Sequence, residues 1–331
     1  MSEKEVAVDS KPRVVITDVD HGAVAEEEAV AAAEGLELVR AACRTEAEVI
    51  AAAQGAAALI VQYAPITRAV VEALPTLKAV GRYGVGVDNV DVEAATQHGV
   101  AVCNVPDYGT EDVSDHAIAL ALSLARGTVG LDRALRAGNY SLEPVQPLHR
   151  VAGRTFGVVG LGLIGAATAR KARGVGYRTI GFDPLHAPGT TTADGTEAVS
   201  FAELIERSDV VSLHVPLNAH SRHLIDAGVL AAMKPGAVLV NTCRGGVVDT
   251  EALVEALRSG AIRGAGLDVF EQEPLPQDSP LLALPNTVLT PHAAWYSEES
   301  QQELKARTAQ NVADVVAGRR PRNIVNQEVF A

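Results

Sequence analysis

Short β-rich runs alternate with alanine-rich helical runs along the whole 331-residue chain, which predicts an α/β protein built on two open, mostly parallel sheets. A glycine cluster, Gly160, Gly162 and Gly165, follows an apolar strand directly and opens a helix, the junction expected in such a sheet. The length suits two compact domains of ordinary size.

In order, RVVITDV (Arg13 to Val19) reads as a strand and Glu26 to Gly35 as a helix. ALIVQ (Ala58 to Gln62) is the next strand, followed by the helix APITRAVVEAL with Thr67 near its start. LKAVGRYG and GVAVCNV complete a first open sheet. Pro106 to Arg126 then reads as one long helix after a Pro/Gly turn. Its apolar residues are too continuous for a surface helix, so burial between domains or subunits is expected. Beyond the loop SLEPVQPLHRVAG a second series runs through RTFGVVG, RTIGFDP, VVSLHVP, AVLVNTCR, GAGLDVF and TVLTPH. Six strands in that order suit a complete dinucleotide-binding sheet. The tail holds an amphipathic helix, ESQQELKARTAQNVADVVAG, and an extended RRPRNIVN.

Charge narrows the function. The net charge is −13, from 28 Lys and Arg against 41 Asp and Glu, so no direct nucleic-acid binding and no anionic membrane partner are expected. The opening MSEKEVAVDSKPR lacks the apolar core of a signal peptide, and no uninterrupted apolar run reaches the about 18 residues of a membrane span. Cys43, Cys103 and Cys243 form no CxxC and no metal-ligand spacing, which points to reduced thiols, a cytoplasmic location and no metal.

In GVVGLGLIG, Gly160 turns the chain, Gly162 lets backbone approach a pyrophosphate, and Gly165 allows close helix–strand packing. Asp183, at the end of RTIGFD, suits a ribose diol and would repel a 2′-phosphate, which favours NAD over NADP. No Lys-Ser/Thr follows the glycines, so a P-loop is excluded. The second cluster, GRYGVGVDNVD, has Gly81, Gly84 and Gly86 in reversed spacing. It is either a tight loop needing glycine dihedrals or a set of N–H groups for a small anion such as a carboxylate.

Three polar groups lie just past strands of the second sheet, where ligands sit in open α/β folds. Arg244 follows LVNTC and offers a planar fork for a carboxylate. Asp268 ends a strand, with Glu273 in the next turn. His292 follows the last strand. A histidine bonded to a carboxylate is favoured in its charged form and can give a proton to a carbonyl oxygen and take it back. Singly, Glu273 also fits a surface turn, Arg244 a helix-cap partner and His292 a structural histidine; their joint placement favours chemistry. His214, at the end of LHVP, is placed for a backbone contact beside the cofactor. His116, mid-helix, reads as buried structure. His21, His98, His149, His186, His220 and His223 read as solvent or packing residues.

The strings GVVGLGLIG…FDP, LHVPLN, VNTCRGGVVD, GLDVFEQEP and TPHAAW resemble the D-isomer-specific 2-hydroxyacid dehydrogenase family over essentially the whole chain. CNVPDYGTEDVSD and TPHAAWYSEES are similar to its C-terminal binding protein-like subgroup. The resemblance implies a Rossmann-type NAD domain, residues 105–296, inserted into a flavodoxin-like substrate domain of residues 1–104 and 297–331. It implies Arg244, Glu273 and His292 as the catalytic set, with His292 the proton donor. It implies NAD contacts at Leu163, Ile164, Asp183, the loop Val215, Pro216 to Ser221, Thr242, Cys243, Arg244, Asp268, His292 and Thr110. Cys243 stands where relatives have a small residue, which leaves room for sensitivity to thiol oxidation.

The expected activity is reversible hydride transfer between NAD(H) and a 2-keto or D-2-hydroxy acid, in a homodimer paired through the cofactor domain. Arg82, Gly84, Val85 and Gly86 are candidates for the substrate's charge, with backbone groups as donors at Val85. Tyr83 and the lone tryptophan, Trp295, are expected to border an apolar, aromatic or thioether side chain. The alternatives are an NADH-responsive regulatory protein and a phosphoglycerate- or phosphonate-type biosynthetic dehydrogenase. Many phosphoglycerate dehydrogenases carry a regulatory domain for which this chain has no room.

Overall fold

The computed structural model describes residues 11–331, so most of the opening MSEKEVAVDSKPR lies outside the described residues. The chain divides into two compact units. One holds the described residues as far as Tyr108 together with Ser297–Ala331; the other is Gly109–Tyr296.

The first unit runs β1 (Arg13–Ile16), α1 (Ala25–Ala33), β2 (Glu37–Arg40), α2 (Glu46–Ala52), β3 (Ala58–Val61), α3 (Arg68–Ala73), β4 (Ala79–Arg82), α4 (Val92–Gln97) and β5 (Ala101–Cys103). Its five strands are all parallel, ordered β2-β1-β3-β4-β5, the flavodoxin-like arrangement. β3, ALIV, is buried at every position, as a central parallel strand covered on both faces must be. Thr67 caps α3 by accepting from Val70 N, and Thr45 and Glu48 form a capping box that starts α2. β2 is half-exposed along its length, and for that reason ELVR carries no apolar run to mark it in the sequence.

The second unit runs α5 (Thr110–Arg126), α6 (Thr128–Arg136), β6 (Thr155–Val159), α7 (Leu163–Gly174), β7 (Arg178–Phe182), β8 (Glu197–Ala198), α8 (Phe201–Arg207), β9 (Val210–Leu213), α9 (Ala227–Ala232), β10 (Val238–Asn241), α10 (Thr250–Ser259), β11 (Gly264–Leu267) and β12 (Thr287–Leu289). Its seven parallel strands are ordered β12-β11-β10-β9-β6-β7-β8. The order reverses between β6 and β9, which is where an open α/β sheet leaves its ligand crevice. The strand beyond the expected six is β8, only two residues long.

One expectation changes here. The helix starts at Thr110, not Pro106, because Pro106–Gly109 forms a turn and Gly109 stands as the N-cap. Its buried stripe (Ala117, Leu120, Ala121, Leu124) packs on α7, β10, β11 and β12 of its own unit. Gly266 permits this, since a Cβ there would lie 2.9 Å from Leu120 Cβ. Gly127, at φ 63, ends α5 in the left-handed conformation.

The chain then returns as α11 (Glu298–Val316) to the first unit, packing on α1, β3, β4 and β5. A Cβ on Gly81 would lie 2.6 Å from Val312 Cγ1, so the glycine lets the helix approach the sheet closely. Between α11 and α1, Lys305 is 2% exposed and its ammonium lies 2.9 Å from Glu26 Oε2 and 3.9 Å from Glu27 Oε2.

Candidate active site

Six strand ends of the second unit build the site. After β6, Gly160 takes φ +93, and a Cβ on it would lie 2.4 Å from the carbonyl oxygen of His214. That close approach ties the β6 turn to the β9 turn at the crevice. Gly162 caps α7 with no side-chain bond to the helix amides, and nothing lies within 4 Å of where its Cβ would stand. A Cβ on Gly165 would fall 1.9 Å from Gly160 O, so α7 abuts the turn directly. Leu163 is 59% exposed at the helix start. Asp183, past β7, accepts from Leu161 N at 2.9 Å and Leu185 N at 3.0 Å, which fixes its carboxylate beside the glycine turn.

After β9, the His214 ring lies 2.8 Å from Ser212 Oγ, and burial pushes its pKa down to about 3, so it is neutral. Ser221 shapes the following loop, donating to Pro216 O at 2.5 Å and accepting from Asn218 N at 2.9 Å. Val215 contacts the turn through Gly160, whose Cβ would lie 3.0 Å from Val215 Cγ1.

After β10, the buried Asn241 organises the turn that aims Arg244. Its Nδ2 donates to Arg244 O at 2.9 Å, and its Oδ1 accepts from Cys243 N at 3.0 Å and Cys243 Sγ at 3.1 Å. Gly245 must be glycine, because a Cβ would lie 1.8 Å from Phe270 C. Burial pushes the Cys243 thiol up, against smaller opposing pulls from nearby amides and Arg244. A protonated, hydrogen-bonded thiol is a poor nucleophile.

After β11 and β12 the two acidic groups separate in role. Asp268 is fully buried, and its carboxylate accepts from Thr290 Oγ1 at 2.5 Å, Ala293 N at 2.9 Å and Ala294 N at 2.9 Å. Its carbonyl oxygen accepts from His292 N at 2.7 Å. Glu273 Oε1 accepts from Phe270 N at 2.9 Å, and Oε2 lies 2.7 Å from His292 Nδ1. Burial pushes Glu273 up, but the His292 hydrogen bond and charge, the Phe270 amide and the Arg244 charge outweigh it and hold the carboxyl below its ordinary range. An ionised carboxylate only accepts, so Nδ1 of His292 carries a proton and Nε2 is left to exchange one with a ligand.

The second unit therefore brings Arg244, Glu273 and His292 together at adjacent strand ends. Trp295 is half-buried, its ring edge-on to Tyr296 at 5.7 Å and 89°. A second pair stands on the same turn: His223 Nε2 lies 2.6 Å from Glu271 Oε1, and Glu271 Oε2 accepts from Thr250 N at 3.0 Å. This pair ties the loops after β9, β10 and β11.

Two buried hydroxyls, Thr110 Oγ1 and Thr242 Oγ1, have no hydrogen-bond partner. Orphaned buried groups call for a ligand or water, and both belong to the set expected to touch NAD. With the open space over Gly162, the residues present fit a dinucleotide. Among the described residues no group of three or more His, Cys, Asp or Glu could hold a metal ion.

In the first unit, Arg82 ends β4 and lies across Gly84, whose φ is +133 and whose Cβ would stand 1.7 Å from Arg82 Nη1. Val85 is 40% exposed. Gly86 follows, half-buried. Tyr83 departs from expectation. It is 3% exposed, and its hydroxyl donates to the buried Glu27 Oε1 at 2.5 Å, so its ring faces the unit's interior instead of bordering a pocket. Apolar residue counts alone could not separate the two.

The model for the NAD binding domain of D-isomer specific 2-hydroxyacid dehydrogenases matches residues 118–294. A glyoxylate reductase of Korarchaeum cryptofilum is 47% identical over 268 residues, 80% of this chain and 81% of that one. A D-3-phosphoglycerate dehydrogenase of Methanocaldococcus jannaschii is 41% identical over 262 residues, 79% of this chain but 50% of its own length. The crystal structure of D-lactate dehydrogenase from Aquifex aeolicus, complexed with NAD and lactic acid, superposes with a TM-score of 0.84 at 28% identity, covering 95% of this chain and 99% of that one.

Proposed function

The chain belongs to the D-isomer specific 2-hydroxyacid dehydrogenase family and is an NAD(H)-dependent oxidoreductase; from that premise we propose a mechanism in which His292 is the acid and base, Glu273 its partner, and Arg244 the anchor of the substrate carboxylate. The observation that carries it is the 2.7 Å contact between His292 Nδ1 and Glu273 Oε2, with Arg244 close enough to depress the same carboxyl.

Gly160, Gly162 and Gly165 bring the start of α7 to the pyrophosphate, and Asp183 takes the ribose hydroxyls, which favours NADH over NADPH. Leu163, Ile164, Val215, Pro216 and Ser221 flank the dinucleotide, and Thr110, Thr242 and Asp268 lie toward its nicotinamide end. When bound, NADH supplies a hydride to the carbonyl carbon of a 2-keto acid. The chain's own part is to fix and protonate. Arg244 holds the carboxylate by a two-bonded fork, and Glu273 keeps the imidazole turned so that Nε2 faces the carbonyl oxygen. His292 gives that oxygen its proton during reduction and recovers it during oxidation.

A small 2-keto acid is the substrate class, with Trp295 shaping preference for its side chain. Arg82 favours the phosphoglycerate- or phosphonate-type alternative if the substrate bears a second anion. The unpartnered apolar side chains of Leu135, Tyr140 (95% exposed) and Leu142 favour a homodimer formed through the second unit. Three free cysteines, and no described helix long and apolar enough to cross a membrane, suit a cytoplasmic enzyme.

The test is NADH oxidation against glyoxylate, phenylpyruvate, 4-methylthio-2-oxobutyrate and a phosphonate analogue, with the wild type and His292→Asn. One or more acids should turn over, and the variant should lose about 100-fold or more in kcat. Unchanged turnover in the variant removes His292 from the mechanism.

A further inference from the structure

We propose that His116 is a positioning residue for this reaction: from the middle of α5 it holds Thr290, and through Thr290 and Asp268 it fixes the backbone turn that carries His292. The proposal rests on the role given above to His292.

The turn needs holding. His292 has φ 54, and it and His223 are the non-glycine residues with positive φ among the described residues. A left-handed residue of this kind costs roughly 1–3 kcal/mol and persists only where its surroundings over-determine it. Asp268 does the determining, because one buried side chain and its own carbonyl take up the amides of His292, Ala293 and Ala294. His116 Nε2 lies 3.6 Å from Asp268 Oδ1.

Hydrogen-bond counting then orders the protons. The Thr290 hydroxyl has one proton, which it gives to Asp268 Oδ1 at 2.5 Å. Its oxygen can therefore only accept at its other contact, His116 Nε2 at 2.9 Å. His116 must carry hydrogen on Nε2, and the order His116 to Thr290 to Asp268 runs in one direction.

The mount is rigid. His116 sits between Ser114, whose hydroxyl is bound back to Thr110 O at 2.7 Å, and the buried Ala117 and Leu120. It thus couples the helix packed on α7, β10, β11 and β12 to the turn that follows β12. Without this bond, Thr290 can rotate and Asp268 loses a donor. A carboxylate relaxed toward other partners would let the His292 ring drift from the position Glu273 sets. Displacement of a catalytic group by about 1 Å can cost about 100-fold in rate.

The experiment compares His116→Ala, His116→Gln, Thr290→Val, the double variant His116→Ala/Thr290→Val, and His292→Asn. It measures kcat, KM for the keto acid, NADH affinity and the melting temperature. His116→Ala and Thr290→Val should each lower kcat about tenfold or more, with KM and NADH affinity within about threefold. The double variant should be no worse than the worse single one, because both break the same chain. His116→Gln, which keeps an N–H near Nε2, should recover most of kcat. Additive losses, intact kcat in either single variant, or a His116→Gln enzyme as slow as His116→Ala would overturn the proposal. If His116→Ala does not fold, Thr290→Val and His116→Gln decide alone. Turnover retained in His292→Asn would instead refute the role of His292, a different failure from intact kcat in the His116 and Thr290 variants.

Discussion

Gly162→Ala separates a glycine kept for a ligand from one kept for the fold. The residue has φ −67 and ψ −168, dihedrals open to alanine, and its absent Cβ has nothing within 4 Å. The protein should therefore tolerate the methyl group. Restricting the unfolded chain should even stabilise it by about 0.4–1 kcal/mol, a rise of about 1–4 °C in melting temperature for a unit of this size. The cofactor should not tolerate it, because the methyl occupies the space over the start of α7. Overpacking of one such group costs about 1–3 kcal/mol, which weakens NADH binding about 5–150-fold. Gly165→Ala is the counterpart: a Cβ 1.9 Å from a backbone oxygen forces α7 to move. About 3 kcal/mol of strain would lower the melting temperature by about 6–12 °C. Fluorescence titration with NADH and differential scanning calorimetry read both variants. Wild-type NADH affinity in a stable Gly162→Ala protein would refute the placement of the pyrophosphate.

Asp183→Ala should weaken NADH more than NADPH in parallel binding titrations; equal losses would end the assignment of its carboxylate to the ribose. Glu273 is held below its ordinary carboxylate value of 4.5, so its contribution to stability is complete above that value and is lost as pH falls through the folded one. The melting-temperature gap between wild type and Glu273→Gln should accordingly shrink from about pH 6 to about pH 3, and a constant gap would contradict the ion pair. Cys243, its pKa raised by burial, should react with iodoacetamide far more slowly than a free exposed thiol at pH 8, as followed by mass spectrometry. Rapid modification would mean that the site opens.

Much of the fold and site was legible because backbone chemistry leaves strong marks. A GxGxxG set between strand and helix suits a dinucleotide phosphate and little else, and the order of apolar runs predicts the parallel sheets. Arg244, Glu273 and His292 could be found because each follows a strand of one sheet. Asn241 and Thr290 carry no comparable mark. Their work is done by hydrogen bonds to residues adjacent in space, and a polar residue at a strand end resembles any other until its partners are known. Tyr83 shows the same limit from the opposite side, since only the position of Glu27 reveals which way the ring turns. β2 escaped because a half-exposed strand lacks the apolar pattern that announces a buried one.

The return of α11 to the first unit has a consequence for biosynthesis. While the ribosome is still working, β3, β4 and β5 are made early but stay bare on the face that Val312 and Thr308 later cover. Every strand of the second unit is finished before that helix is translated, so the middle of the polypeptide can close first. The beginning must wait for its last helix to emerge. A nascent chain stalled at Tyr296 should resist protease across the seven-stranded sheet and be cut readily in the five-stranded one.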